Sequence, residues 1–333
     1  MEPRIPSIFS QFRLGAPQIH TKMGLLLPYQ LKKSPASLLF SKQGLLAVVY
    51  CLVFIYICTL FFGSNKSRDN FFAENHECVN RKTESLEFDE LYKRLPEVVN
   101  QCSVRGRLNI QGFTNTDETK YHVMPTEYAL QPRHDCTIIS LGVGKDVEAE
   151  KQMLAALPHC KFFGADPVND TNADIYPEVG KFFNVAVGGS NGIMRANVLE
   201  DQYKFKDVPY IDIAAFMRNL VKKTVVDQIM IDIEHAEYPM LPFLLKTGQM
   251  YKEGVTICQI NIEVHNPSPE QKQEFYKYYH LMMAENQYTM LTASTIIGHI
   301  RLFMINHADE ECHQRYIGDI YDRPYTTTTQ KPF

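Results

Sequence analysis

The sequence has no basic surplus. Lys and Arg number 34 against 38 Asp and Glu, a formal net charge of −4. A dedicated nucleic-acid binder draws its affinity from phosphate contacts and shows the opposite balance, so that class is set aside. No CxxC pair and no Cys/His group with metal-site spacing occurs, although eight cysteines are present. No repeat period runs through the chain, which excludes solenoids and propellers. Composition is not extreme either. With 45% hydrophobic and 22% charged residues, a collagen-like, wholly disordered or small disulfide-scaffold protein is excluded. A length of 333 residues fits one large domain with an appendage, or two small domains.

What is present begins with an apolar run at 44–62, GLLAVVYCLVFIYICTLFF, which carries no charge. Its length is close to the roughly 20 residues that cross a bilayer core. Before it, six basic residues (Arg4, Arg13, Lys22, Lys32, Lys33, Lys42) face one acid, Glu2, so this tail is +5 and the rest of the chain −9. A basic flank is retained in the cytosol. The expectation is a type II, single-pass signal anchor, with a cytosolic tail at 1–43, the membrane helix at 44–62 and a lumenal remainder in the Golgi or secretory pathway. Cys78, Cys102, Cys136, Cys160, Cys258 and Cys312 would then lie where disulfides persist. Sequons stand at Asn65 and Asn169. A stem and helical or irregular segment is expected at 63–133, with a helix near 84–100. The main domain is expected at 134–322 and a disordered tail at 323–333.

Within the main domain, strands and helices alternate. Short apolar runs at 137–141, 161–165, 182–187, 227–233 and 257–264 read as strands. Helical patterns fill 146–157, 211–221, 237–246 and 269–285, and a strand pair closes the domain at 288–292 and 299–306. This order predicts an α/β fold: a doubly wound, mostly parallel, Rossmann-like sheet with an antiparallel edge. Ligands of such sheets sit beyond the carboxyl ends of the strands.

Those ends carry the polar residues. The first strand runs into Gly142-Val-Gly144 and then a helix, a turn that lets the backbone approach a ligand. A third glycine is missing, since position 147 is Val, which argues against a nicotinamide dinucleotide. The second strand ends at Asp166-Pro167, and a carboxylate there is placed to accept ribose hydroxyls. Cys136 and Cys160 precede these two strands, so adjacent strands would bring the thiols within bonding reach. The later strands end in Asp232-Ile-Glu234-His235 and Glu263-Val-His265. Carboxylates and imidazoles meeting at one edge could take a proton, bind a cation or hold substrate hydroxyls.

With these motifs the sequence resembles the FkbM-type S-adenosylmethionine-dependent methyltransferases, in particular a nematode membrane-anchored branch. The carrying segments are IISLGVG from Ile138, FFGADP from Phe162, NVAVGG from Asn184, VDQIMIDIEHAEY from Val226 and INIEVH from Ile260. The resemblance implies a seven-stranded class I methyltransferase sheet. S-adenosylmethionine would lie on Gly142, Gly144, Asp166 and Pro167, with Asp232 near the sulfonium. Asp232, Glu234, His235, Glu263 and His265 are the catalytic candidates, and no resident metal is assigned. Two positions depart from the family pattern: Ser140 replaces an acid, and His235 replaces a glycine. The expected activity is O-methylation of a hydroxyl acceptor, glycan or lipid, by a membrane-anchored enzyme. Ser140 and His235 keep a non-catalytic cofactor-binding module open, and the anchored topology keeps a glycosyltransferase open.

Overall fold

The computed structural model describes residues 49–54 and 65–318. Of the apolar run at 44–62, only 49–54 is described, as a stretch of helix. Six helical residues rise about 9 Å, against the roughly 30 Å of a bilayer core. The rest of that run lies outside the described residues. Among the described residues no helix is long and apolar enough to cross a membrane. This corrects the expected transmembrane helix. The membrane contact and the type II, lumenal placement rested on that helix alone and fall with it. Phe62–Phe333 forms a compact unit separate from Met1–Phe61.

In that unit, fourteen strands are described: β1 (Ile110–Thr114), β2 (Thr119–Val123), β3 (Cys136–Leu141), β4 (Cys160–Ala165), β5 (Gly180–Phe183), β6 (Ala186–Gly188), β7 (Gly192–Leu199), β8 (Tyr203–Asp212), β9 (Val225–Val226), β10 (Gln228–Ile231), β11 (Thr256–Ile257), β12 (Gln259–Val264), β13 (Tyr288–Ile296) and β14 (His299–Asn306). Five helices matter for the site and its support: α1 (Asn65–Thr83), α2 (Phe88–Cys102), α3 (Glu148–Ala156), α4 (Glu237–Met240) and α5 (Pro269–Glu285).

Seven strands form one sheet in the order β13-β14-β12-β10-β3-β4-β5. β12, β10, β3, β4 and β5 pair in parallel, and β14 runs antiparallel to both of its neighbours. β13 is therefore parallel to the main set. The reversed strand lies one place inside the edge, not at the edge as expected. The reason is chain economy: a short turn between β13 and β14 forces them antiparallel, and β14 then fills the slot beside β12. β3, β10 and β12 are buried along their whole length, as strands covered on both faces must be.

Sequence reading missed two parts of the fold. One is the three-stranded sheet β6-β8-β7, whose β8 falls partly where a helix was expected at 211–221. The other is the β1–β2 hairpin. α1 also replaces the expected stem. Phe72 and Val79 are buried, and Thr83 meets the Tyr279 hydroxyl of α5 at 2.8 Å. α5 matches its expected range. Ser268 and Gln271 cap it reciprocally, and Pro269 at its first turn has no N–H to leave unpaired.

Three disulfides crosslink the unit: Cys78–Cys102, Cys136–Cys160 and Cys258–Cys312. The expected pair, Cys136 with Cys160, joins directly opposed residues of β3 and β4.

Candidate active site at the carboxyl edge of the sheet

The glycine turn is tied into the sheet from three sides. Gly142 has φ +82°, and a Cβ built there would lie 1.7 Å from the Asp232 carbonyl oxygen, so only glycine fits. Its N–H donates to the Ala165 carbonyl at 2.9 Å, and the Asp232 N–H donates to Leu141 at 2.9 Å. Gly144, at φ +61°, faces open space. The ends of β3, β4 and β10 are thus held together around one open-faced turn.

Asp166 is the second holder of that turn. Its Oδ2 accepts from the Val143 N–H at 2.9 Å and the Gly144 N–H at 3.4 Å, while Oδ1 accepts from Val168 at 2.8 Å. Burial pushes its carboxyl above the usual range, against the pull of those N–H groups. Asn184 donates to the carbonyls of Asp166 and Pro167, which fixes the chain after β4. Asp146, at the far side of the turn, accepts from both the N–H and the hydroxyl of Thr116 at the hairpin tip.

Ser140, where the family carries an acid, is buried and donates to Glu150 Oε1 of α3 at 2.9 Å. Tyr176 donates to the Ser140 hydroxyl at 3.2 Å. A carboxyl group therefore reaches the end of β3 from ten positions further on. Burial pushes the Glu150 carboxyl up, although Lys120 and Ser140 oppose that shift. Sequence reasoning missed Glu150. Its signal was an acid among the inward positions of α3, beside Ala149 and Met153.

Beside the turn lies the carboxylate–imidazole cluster. His265 follows β12 and is 3% exposed. Its Nδ1 lies 3.1 Å from Glu237 Oε1, which also accepts the His265 N–H at 2.8 Å. Its Nε2 stands 3.3 Å from Asp232 Oδ1 and 3.6 Å from Glu234 Oε2. Burial disfavours the charged ring, but the three acids outweigh burial and push the imidazole up to about 12. The unliganded ring is thus an imidazolium and cannot take a proton at neutral pH. Burial also works against ionisation of Asp232 and Glu234, yet contact with His265 holds both carboxyls below the usual range.

Glu263 points to a different set of partners. Arg301 Nε donates to its Oε2 at 2.7 Å, and Arg301 also holds Asp117 of the hairpin tip at 2.7 Å. Burial and the nearby Asp232 push the Glu263 carboxyl up. His299 Nδ1 lies 3.2 Å from Glu263 Oε1. Burial and the His265 charge push the His299 ring below the usual imidazole range. Arg301 and His299 were missed because both sit in β14, where the pattern showed only a closing strand. His235 stacks on Tyr238 at 6.3 Å and lies 5.4 Å from the His265 ring. Glu234 and His235 both have positive φ, +50° and +72°. A family glycine at the second position is what such a backbone favours.

The structure therefore gathers Asp232, Glu234, Glu263, His265 and, at the margin, His235. It adds Glu237, His299, Arg301 and the hairpin acids Asp117 and Glu118. Gly142, Gly144, Asp166 and Pro167 form the neighbouring turn.

A family model described as the methyltransferase FkbM domain matches residues 103–316. An uncharacterized protein of Caenorhabditis elegans is 22% identical over 105 residues, covering 32% of this chain and 36% of that protein. The chain thus spans about a third of that relative's length. A ribosomal-protein methylase from Lactobacillus delbrueckii subsp. bulgaricus aligns over 54% of this chain and 74% of its own, with 9% identity and a TM-score of 0.27. The 16S rRNA methylase ArmA aligns over 68% and 94%, with 12% identity and a TM-score of 0.25. At those scores neither structure bears on the argument. The membrane-anchored branch expected from the motifs is corrected to the family alone, because no described helix supports an anchor. The chain belongs to the methyltransferase FkbM domain family, and residues 103–316 are its S-adenosylmethionine-dependent methyltransferase domain.

Proposed function

We propose that this protein transfers the methyl group of S-adenosylmethionine to an oxygen nucleophile at the carboxyl edge of the sheet. The observation that carries the reading is the packing of Gly142 on the Asp232 backbone. It sets an open glycine turn for the cofactor directly against the acid cluster. Gly142, Gly144, Asp166 and Pro167 would hold the nucleoside side, and Asp232 would face the sulfonium.

The cofactor supplies an activated methyl group. When bound, it would supply that methyl to oxygen and release a neutral thioether. The protein's task is to align the oxygen, exclude water and accept the hydroxyl proton. His265 is already protonated, so it braces Asp232 and Glu234. His299, beside Glu263 at 3.2 Å and at the open edge of the cluster, is placed to receive the proton. The carboxyl of Glu150 beside Ser140 supports the catalytic reading over a non-catalytic module.

Calorimetry with S-adenosylmethionine tests the reading. Wild type should bind it, and Gly144→Asn should lose at least tenfold in affinity. Asn tolerates the left-handed backbone at 144, so the fold is spared while the side chain enters the open space. Failure of wild type to bind, or unchanged binding by the variant, overturns the reading.

A further inference from the structure

We infer that Asp232, Glu234 and His265 form a divalent-cation site of the Mn²⁺ or Zn²⁺ type, facing the acceptor side of the methyl-transfer centre. The inference rests on the proposed transfer to oxygen for its role, but not for its geometry.

The first observation is the spacing. One donor atom from each residue lies within 4.8 Å of the others. The Nε2–Oδ1 and Nε2–Oε2 separations of 3.3 and 3.6 Å are those of neighbouring ligands on a cation with bonds of about 2.1 Å. The second is the support behind the ring. Metal-binding histidines almost always donate their other N–H to a carboxylate or carbonyl, which fixes the tautomer. Glu237, fully buried in α4, holds His265 Nδ1 and the His265 backbone N–H with the same oxygen. The Tyr238 hydroxyl donates to the His265 carbonyl, and Tyr92 donates to the carbonyls of Val264 and His265. A ring only 3% exposed is thus braced from behind and aims Nε2 between two carboxylates.

The third observation is charge. Arg301 is committed to Glu263 and Asp117. Lys120, which also overhangs the cluster, is paired with Glu118, so Asp232, Glu234 and Glu237 share a single imidazole. A divalent cation would balance the surplus. The mixed nitrogen–oxygen donor set suits Mn²⁺ or Zn²⁺ better than Ca²⁺, which takes oxygen ligands alone. Such an ion would bind the acceptor oxygen and favour its deprotonated form.

The test is calorimetric titration of the full chain with Mn²⁺ and, separately, Zn²⁺, alongside thermal melts. Asp232→Asn and Glu234→Gln keep shape while removing ligand charge. Each should weaken binding at least tenfold and abolish the melting shift seen for wild type. Glu253→Gln, on a distant surface ion pair with Arg218, should bind like wild type. If neither cation binds wild type, or if all three variants bind alike, the site does not exist. Titration with S-adenosylmethionine separates the two readings. Cofactor binding with no cation binding sinks only the cation site. Cation binding that survives in Glu253→Gln but not in Glu234→Gln supports the site even where the cofactor fails to bind.

Discussion

Single residues at this site are held in conformations that cost energy. Glu234 and His235 are consecutive non-glycine residues with positive φ. Each such residue costs roughly 1–2 kcal/mol against its relaxed backbone. The cost is tolerated because Ala236 returns a hydrogen bond to Ile233 and the His235 ring stacks on Tyr238. His235→Gly removes the Cβ penalty but adds freedom to the unfolded chain. The net expectation is a gain of up to about 1 kcal/mol, or roughly 2–4 °C in melting temperature for a domain of this size. A clear fall in melting temperature would mean that stacking, not strain, dominates at 235. Legibility at this scale was uneven. Asp232, Glu234 and His265 stood out because they interrupt apolar strands at their ends. His299 and Arg301 did not, because β14 reads as an ordinary alternating strand.

At the scale of elements, the β1–β2 hairpin explains how acids remote in sequence reach the site. Three amides in the buried strands anchor β2. Asn261 accepts the Tyr121 N–H at 3.0 Å and donates to the Tyr121 carbonyl at 2.7 Å. Gln259 does the same for Val123, at 2.7 and 3.2 Å. Gln228 donates to Tyr121 and pairs with the His122 ring. The amide side chains stand in for a missing neighbour strand. They fix the hairpin so that Asp117, Glu118 and Lys120 overhang the cluster. Asn261→Leu would strand the Tyr121 N–H in a half-buried place, at about 1–3 kcal/mol, while the Tyr121 carbonyl keeps its bond from Gln228. Asn261→Asp keeps the acceptor and should cost less. Urea midpoints, with hydrogen exchange of the Tyr121 amide, check both. Equal stability for Asn261→Leu and wild type would show that the hairpin is held elsewhere. The sequence displayed these amides, but a polar residue in an apolar strand equally fits an exposed face. Only the neighbour strand decides between the two. β8 was illegible for a related reason: the run YKFKD is almost wholly exposed, so no buried face marks its period.

For the whole molecule, the expected sheet emerged because its parallel strands are rich in apolar residues and run into polar ones at their carboxyl ends. The anchor did not emerge: of its run only 49–54 is described, and among the described residues no helix is long and apolar enough to cross a membrane. What binds the distant parts of the described unit together is covalent. Cys258–Cys312 closes a span of 54 residues, from the start of β12 to the last helical turns. Both cysteines are fully buried. The same end is clamped by Arg315 and Tyr316, which donate to Asp227 Oδ1, while Asp227 Oδ2 accepts the Thr137 N–H at the start of β3. Chain-entropy arguments put this crosslink at about 4 kcal/mol, and each 24-residue crosslink at about 3 kcal/mol. Burial sets the order in which a reductant acts. Cys78 is only partly buried, so Cys78–Cys102 should open first, while the protein remains folded. Cys258–Cys312 should open only as the unit unfolds. Thiol labelling with mass analysis along a dithiothreitol series reads that order directly. Early labelling of Cys258 and Cys312, with the fold still intact by circular dichroism, would show that the C-terminal clamp opens locally and that its crosslink is not what closes the domain.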